Sequence, residues 1–90
     1  MSARPMHPPA ARVVLFERAG CHLCEEAALV LDEVLGMGRY QRVDIDREGD
    51  LIVRYGFRVP VVSVDGVNRL EAPMTAAELR TLLVSLGVTR

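Results

Sequence analysis

Apolar residues change their spacing several times along this chain, and each change marks an element. At Arg12–Phe16 the run Val13-Val14-Leu15-Phe16 is continuous, short and β-branched, the pattern of a strand buried on both faces. Ala19-Gly20 closes it with a turn. From His22 the rhythm becomes every fourth residue: Leu23, Ala27, Leu31 and Leu35 form one row with Val30 and Val34 beside it, and Glu26 and Glu33 fall outside. That spacing predicts an amphipathic helix. It stops at Gly36-Met37-Gly38, where glycine suits the left-handed residue past a helix end. Tyr40–Ile45 alternates, with Tyr40, Arg42 and Asp44 against Gln41, Val43 and Ile45, and predicts a second strand. Arg47–Tyr55 puts Leu51, Ile52 and Tyr55 at helical spacing, and Gly49 with the β-branched Ile52 and Val53 keeps that helix short.

Val59–Val64 and Val67–Leu70 flank Asp65-Gly66. An Asp-Gly loop between apolar runs is a strong hairpin signal, because the turn needs positive φ at both residues. Thr75-Ala76-Ala77-Glu78 then makes a capping box, and Leu79, Leu82, Leu83 and Leu86 form an apolar face that ends at Gly87. The predicted order is β-α-β-α-β-β-α, an α/β arrangement that begins with a parallel crossover and ends with a hairpin and a covering helix. It implies a four-stranded mixed sheet with helices on both faces. The loop after the first strand lies at a carboxyl edge of the sheet, where sites gather, and Cys21 falls in it.

Length and composition narrow the reading. Ninety residues allow one domain, placed at 12–90 behind an arm at 1–11. The arm holds Pro5, Pro8 and Pro9 without the apolar run of a signal peptide or anchor and reads as a flexible tail. Hydrophobic residues at 50% and charged ones at 26% describe a packed globular chain. A net charge of -1, with Lys absent, does not favour nucleic acid. No segment approaches the ~20 apolar residues of a membrane span, so no membrane is implied, the cytoplasm is the default compartment and a monomer the default state.

Both cysteines sit in Cys21-His22-Leu23-Cys24, which is not the disulfide framework of a small secreted protein. Redox or metal chemistry remains. The attacking species in thiol exchange is a thiolate. At a strand-to-helix junction, unpaired N–H groups and the positive end of the helix dipole point at the Cys21 sulfur and stabilise that anion. Cys24 lies about one turn on, placed to close a disulfide and release whatever Cys21 has bound. His22 and Arg18 add positive charge while Glu25 and Glu26 oppose it, and the balance stays open. For each, the plain alternative is a solvated residue: His22 in an exposed loop, Arg18 as a surface charge. A structural zinc site takes four ligands, and the only further soft candidates are His22 and His7. A carrier of Cu(I) or Zn on the two thiolates is the alternative function, although ferredoxin-like metal chaperones run β-α-β-β-α-β.

With these elements in place, residues 12–86 resemble the thioredoxin superfamily and, within it, a small bacterial glutaredoxin-like group. Phe16-Glu17-Arg18-Ala19-Gly20-Cys21-His22-Leu23-Cys24 is similar to the strand end and active-site loop of glutaredoxins, with Arg18 where they commonly carry lysine. Arg58-Val59-Pro60 matches their Thr-Val-Pro segment except at its first residue, and Val43-Asp44-Ile45-Asp46, Tyr55-Gly56 and Asp65-Gly66 add to the likeness. The resemblance implies a cis Val59–Pro60 peptide beside the cysteines, the proline excluding metals and the valine backbone pairing with a bound peptide. Taken without it, Pro60 simply opens a strand. Glutaredoxins commonly hold glutathione with a Gly-Gly pair and an acidic residue before the last helix, whereas this chain reads Leu70-Glu71-Ala72-Pro73-Met74-Thr75. That departure argues against strong glutathione binding. Arg54 or Arg58 is available to receive a carboxylate, or is a plain surface charge.

The expected activity is thiol-disulfide exchange on protein or low-molecular-weight disulfides, with Cys21 and Cys24 catalytic and Val59, Pro60, Arg18 and His22 at the substrate. No bound cofactor or metal is expected, and electrons return from glutathione or a thioredoxin-reductase-type enzyme. A redox-inert interaction domain on the same fold is the third reading. An arsenate-reductase-like reading lacks room for that group's insert.

Overall fold

The computed structural model describes residues 12–88, and the arm expected at 1–11 lies outside the described residues. Along the chain run β1 (Val13–Glu17), α1 (His22–Leu35), β2 (Gln41–Asp44), a single 3-10 turn (Ile45–Arg47), α2 (Gly49–Tyr55), β3 (Val61–Val64), β4 (Val67–Glu71) and α3 (Ala76–Ser85). The sheet order is β2-β1-β3-β4. β1 pairs β2 in parallel and β3 in antiparallel, and β3 pairs β4 in antiparallel. This is the expected four-stranded mixed sheet.

Its two faces are covered unequally. Val13, Leu15, Val62 and Val64 point to one side, where Ala27, Ala28, Val30, Leu31 and Leu35 of α1 and Leu79 and Leu83 of α3 close over them. On the other side Ile45, Tyr55 and Val61 form a small cluster edged by Phe16, Leu51 and Val59. The Phe16 and Tyr55 rings stack there at 4.4 Å between centroids. β1, expected to be buried on both faces, is therefore fully buried on one, through Val13 and Leu15, while Val14 and Phe16 are half-buried. α2 is too short to span the strand.

Element ends moved for local reasons. The stretch expected as one helix from Arg47 divides at Glu48, whose extended backbone (φ -138, ψ 120) separates the 3-10 turn from α2. Asp44 caps the 3-10 turn by accepting the Asp46 N–H at 3.0 Å. β3 begins at Val61 rather than Val59 because Pro60 precedes it without an N–H. The hairpin turn is as expected, with positive φ at Asp65 (52) and Gly66 (84), and a bulge lies between Val62 and Ser63. Thr75 and Glu78 form the capping box of α3, with bonds of 3.0 and 2.9 Å.

Candidate active site

β1 ends at Glu17, and the antiparallel register Phe16↔Val61 brings the start of β3 to the same edge of the sheet. The loop Arg18–Gly20 leaves β1 there, turns at Gly20 (φ 76) and delivers Cys21 as the N-cap of α1. Cys21 has extended backbone (φ -91, ψ 110), and its sulfur accepts the Cys24 N–H at 3.2 Å. A thiol thus takes the capping role that Ser or Asp usually fills, and an otherwise orphaned N–H points at it. The Cys21 N–H donates to the Arg18 carbonyl at 3.3 Å.

The two thiols differ in surroundings. Cys21 is half-buried, whereas Cys24 is 0% exposed. Burial pushes the Cys24 thiol up to about 12, helped by its contact with the Cys21 sulfur and opposed by a backbone hydrogen bond from Arg18. One thiol is partly exposed; the other lies a turn behind it, buried and held protonated.

The surrounding residues take up their places as follows. Arg18 turns its guanidinium to Asp46, with bonds of 2.7 and 3.2 Å, and to the Gly56 carbonyl at 3.3 Å. The Asp46 contact raises its basicity, and Cys21 contributes the weakest charge interaction among those acting on it. His22 is exposed, with Nε2 2.9 Å from Glu26 along the helix. Val59–Pro60 is a cis peptide, with Pro60 fully buried and Val59 half-buried. The carbonyls of Arg58 and Pro60 both accept the Ala72 N–H, at 3.1 and 3.0 Å. Among the described residues the N–H and carbonyl of Val59 make no hydrogen bond.

Leu23, which the spacing placed in the buried row of α1, is 41% exposed, and Cys24 takes the inward position. Arg58 is gripped by Glu71 through bonds of 2.7 and 3.1 Å and lies over the Tyr55 ring at 5.6 Å. Sequence reasoning missed both carboxylate partners, Asp46 and Glu71, since neither lies near its arginine in the chain. The signal available for Gly56 was its place after Tyr55. A Cβ there would meet the Ile52 carbonyl oxygen at 2.7 Å, so only glycine lets the end of α2 close as it does. Among the described residues no group of three or more His, Cys, Asp and Glu side chains gathers as a metal site.

Comparison with known proteins agrees with this geometry. The family model described as "Glutaredoxin-like domain" matches residues 12–84. An X-ray structure of a structural genomics target protein from X. campestris is 36% identical, with TM-score 0.66 over 81% of this chain and 96% of that one. Oxidized glutaredoxin 2 from Chlamydomonas reinhardtii is 23% identical, with TM-score 0.62 over 87% of this chain and 84% of that one. A buckwheat glutaredoxin solved as its glutathione complex is 21% identical, with TM-score 0.57 over 89% and 83%. The last two show that the fold is shared. No curated protein matches the chain. With the dithiol at the head of α1, the cis proline at the neighbouring strand and the match over 12–84, the chain belongs to the glutaredoxin-like family of the thioredoxin fold, and its Cys21–Cys24 pair fits thiol oxidoreductase chemistry at the level of that family.

Proposed function

We propose that this protein reduces protein or low-molecular-weight disulfides, with Cys21 as nucleophile and Cys24 as resolving thiol. The observation that carries the reading is the asymmetry of the pair: an accessible sulfur at a helix N-cap and a buried one a turn behind it. Cys21, as thiolate, attacks one sulfur of the substrate; the substrate S–S bond breaks, a mixed disulfide forms, and the departing thiolate takes a proton from solvent. Cys24 then gives up its proton and attacks the Cys21 sulfur. The second half of the substrate leaves as a thiol, and two electrons have passed from the dithiol to the substrate. Glutathione or a reductase dithiol returns them.

In this reading Val59 offers its unpaired main chain to an extended peptide, and Pro60 shields the thiols from metals. Arg18 acts as a positioning residue that ties the cysteine loop to Asp46 and the end of α2. His22 stands at the solvent rim with Glu26. Glutathione fits better as electron donor than as tightly held ligand, because its carboxylates would compete with Asp46 for Arg18 and with Glu71 for Arg58. No described helix is long and apolar enough to cross a membrane, and a cytoplasmic setting suits a dithiol kept reduced.

Replacing Cys21 with Ser should lower turnover of bis(2-hydroxyethyl) disulfide by about a hundredfold or more, and Cys24→Ser should accumulate the mixed disulfide, seen by mass spectrometry as a reducible adduct on Cys21. Undiminished turnover in Cys21→Ser would remove the proposal.

A further inference from the structure

We infer that Phe57, with Val53 one turn before it, is a docking point for an apolar side chain next to the cysteine of a polypeptide disulfide. The inference rests on the dithiol reading above and narrows its substrate class. Phe57 is 103% exposed and Val53 88%. The chain's other phenylalanine, Phe16, is stacked on Tyr55, so the sequence does hold its aromatic rings in contact where packing is the purpose. A phenylalanine presented to water on the turn that Arg18 ties to the cysteine loop is a surface open to an apolar partner.

Its position is fixed by the site itself. The Arg58 N–H donates to the Tyr55 carbonyl at 2.8 Å, closing the turn that projects Phe57. Arg58 is clamped to Glu71, and the Gly56 carbonyl is held by Arg18 at 3.3 Å. The Arg18 carbonyl in turn accepts the Cys21 N–H at 3.3 Å, so a single residue links the Phe57 turn to the nucleophile.

The surroundings select a polypeptide over glutathione. Val59, with its N–H and carbonyl open, follows Phe57 by two residues, at most ~7 Å of extended chain. A strand paired to Val59 therefore carries its neighbouring side chains to the ring. The two arginines flanking this edge, Arg18 and Arg58, are already engaged bidentately by Asp46 and Glu71, which disfavours a small anion. Glutathione has no apolar side chain to bury on Phe57; a peptide with leucine beside its cysteine does. Electrons follow the route already given, from the Cys21–Cys24 dithiol to the peptide disulfide, and an excess of a dithiol reductant returns them in the assay.

The test uses the full chain with two synthetic peptides, each closed by one internal disulfide, one with leucines and one with serines beside the cysteines. The wild type should reduce the leucine peptide with about tenfold higher kcat/KM, the effect of burying part of a ring. Phe57→Ser should bring the ratio close to one, and Phe57→Leu should restore most of it. Because the readout is a ratio within one preparation, partial loss of folded protein does not move it. Bis(2-hydroxyethyl) disulfide, too small to use the ring, tests the dithiol reading separately in the wild type. If the wild type reduces it but shows no leucine preference, or the preference survives in Phe57→Ser, the docking surface is wrong and the dithiol reading stands. If the wild type fails to reduce it, the dithiol reading falls and the docking inference with it.

Discussion

The two faces of the sheet divide stability from access. On one, α1 and α3 cover Val13, Leu15, Val62 and Val64 with a continuous layer of aliphatic side chains. On the other, Tyr55 of α2 and Ile45 of the 3-10 turn close over Val61, at the end nearest the cysteines, and Ile52, Val53 and Phe57 are left in water. The helix that carries the dithiol belongs to the thick face, so the packing that stabilises the domain also holds the nucleophile in place. The thin face borders the same site without bearing the main core, which frees its side chains to meet a partner. Arg18 spans the division: it starts in the loop of the thick-face helix and ends on the Gly56 carbonyl of α2.

Unequal cores make unequal losses. Leu31, 0% exposed in the thick layer, should cost about 2–5 kcal/mol when cut to Ala, since the lost transfer energy adds to an unfilled cavity. Tyr55→Leu keeps an apolar filling. It loses the stack on Phe16, the Arg58 contact and the bond from the Asn68 amide at 3.4 Å, together about 1–2 kcal/mol. Urea unfolding of both variants at a common slope measures the difference. Equal losses would mean that the small cluster carries as much of the fold as the large one.

Cys24 sharpens the contrast by linking the buried side to pH. Its thiol is pushed up to about 12 by burial, from an ordinary value of 9.0, so the folded protein holds this proton more tightly than the unfolded chain. Stability from this group is complete below pH ~9 and falls by roughly 1.4 kcal/mol per unit as pH rises toward the folded value. Unfolding of the reduced protein across this range should show that decline, and Cys24→Ala should reduce its slope. Some slope remains above pH 10, because burial and the Asp32 bond raise the Tyr40 hydroxyl from its ordinary 10.0 in the same sense. An unchanged slope in Cys24→Ala would show that the thiol's proton is not bound more tightly on folding.

The elements were legible where spacing and turn chemistry speak locally. The hairpin at Asp65-Gly66, the Thr75–Glu78 box and the arrest of α1 at Gly36 each depend on a few adjacent residues. The position of Cys21 at the helix start was legible for the same reason. Ala27, Leu31 and Leu35 of the expected row are buried; Leu23 alone was misplaced, because in the first turn Cys24, an apolar thiol one position on, takes the inward place. The partners of Arg18 and Arg58 could not be read. Asp46 lies 28 residues from Arg18 and Glu71 lies 13 from Arg58, so each pair exists only once the sheet has formed. Phe57 was passed over because spacing finds buried rows, and an aromatic side chain left outside has no period.

The smallest effect concerns charge on the thick face. Arg80 of α3 reaches Glu33 of α1 with two bonds of 2.9 Å, and Arg80 holds that carboxyl below its ordinary range. Such a contact stabilises above the usual carboxylate range and is lost as pH falls through the lowered value. Both side chains are nevertheless well exposed, at 44% and 60%, so water and salt screen the attraction and holding two long side chains in register offsets it. Arg80→Ala should leave the urea midpoint within error at physiological salt and lower it slightly at low salt. Leu79 and Leu83 beneath it, both 0% exposed, do the joining of α1 to α3 in this account. A salt-independent loss in Arg80→Ala as large as that of Leu31→Ala would show instead that the two helices are held together by charge, and the thick face would no longer owe its strength to its aliphatic layer.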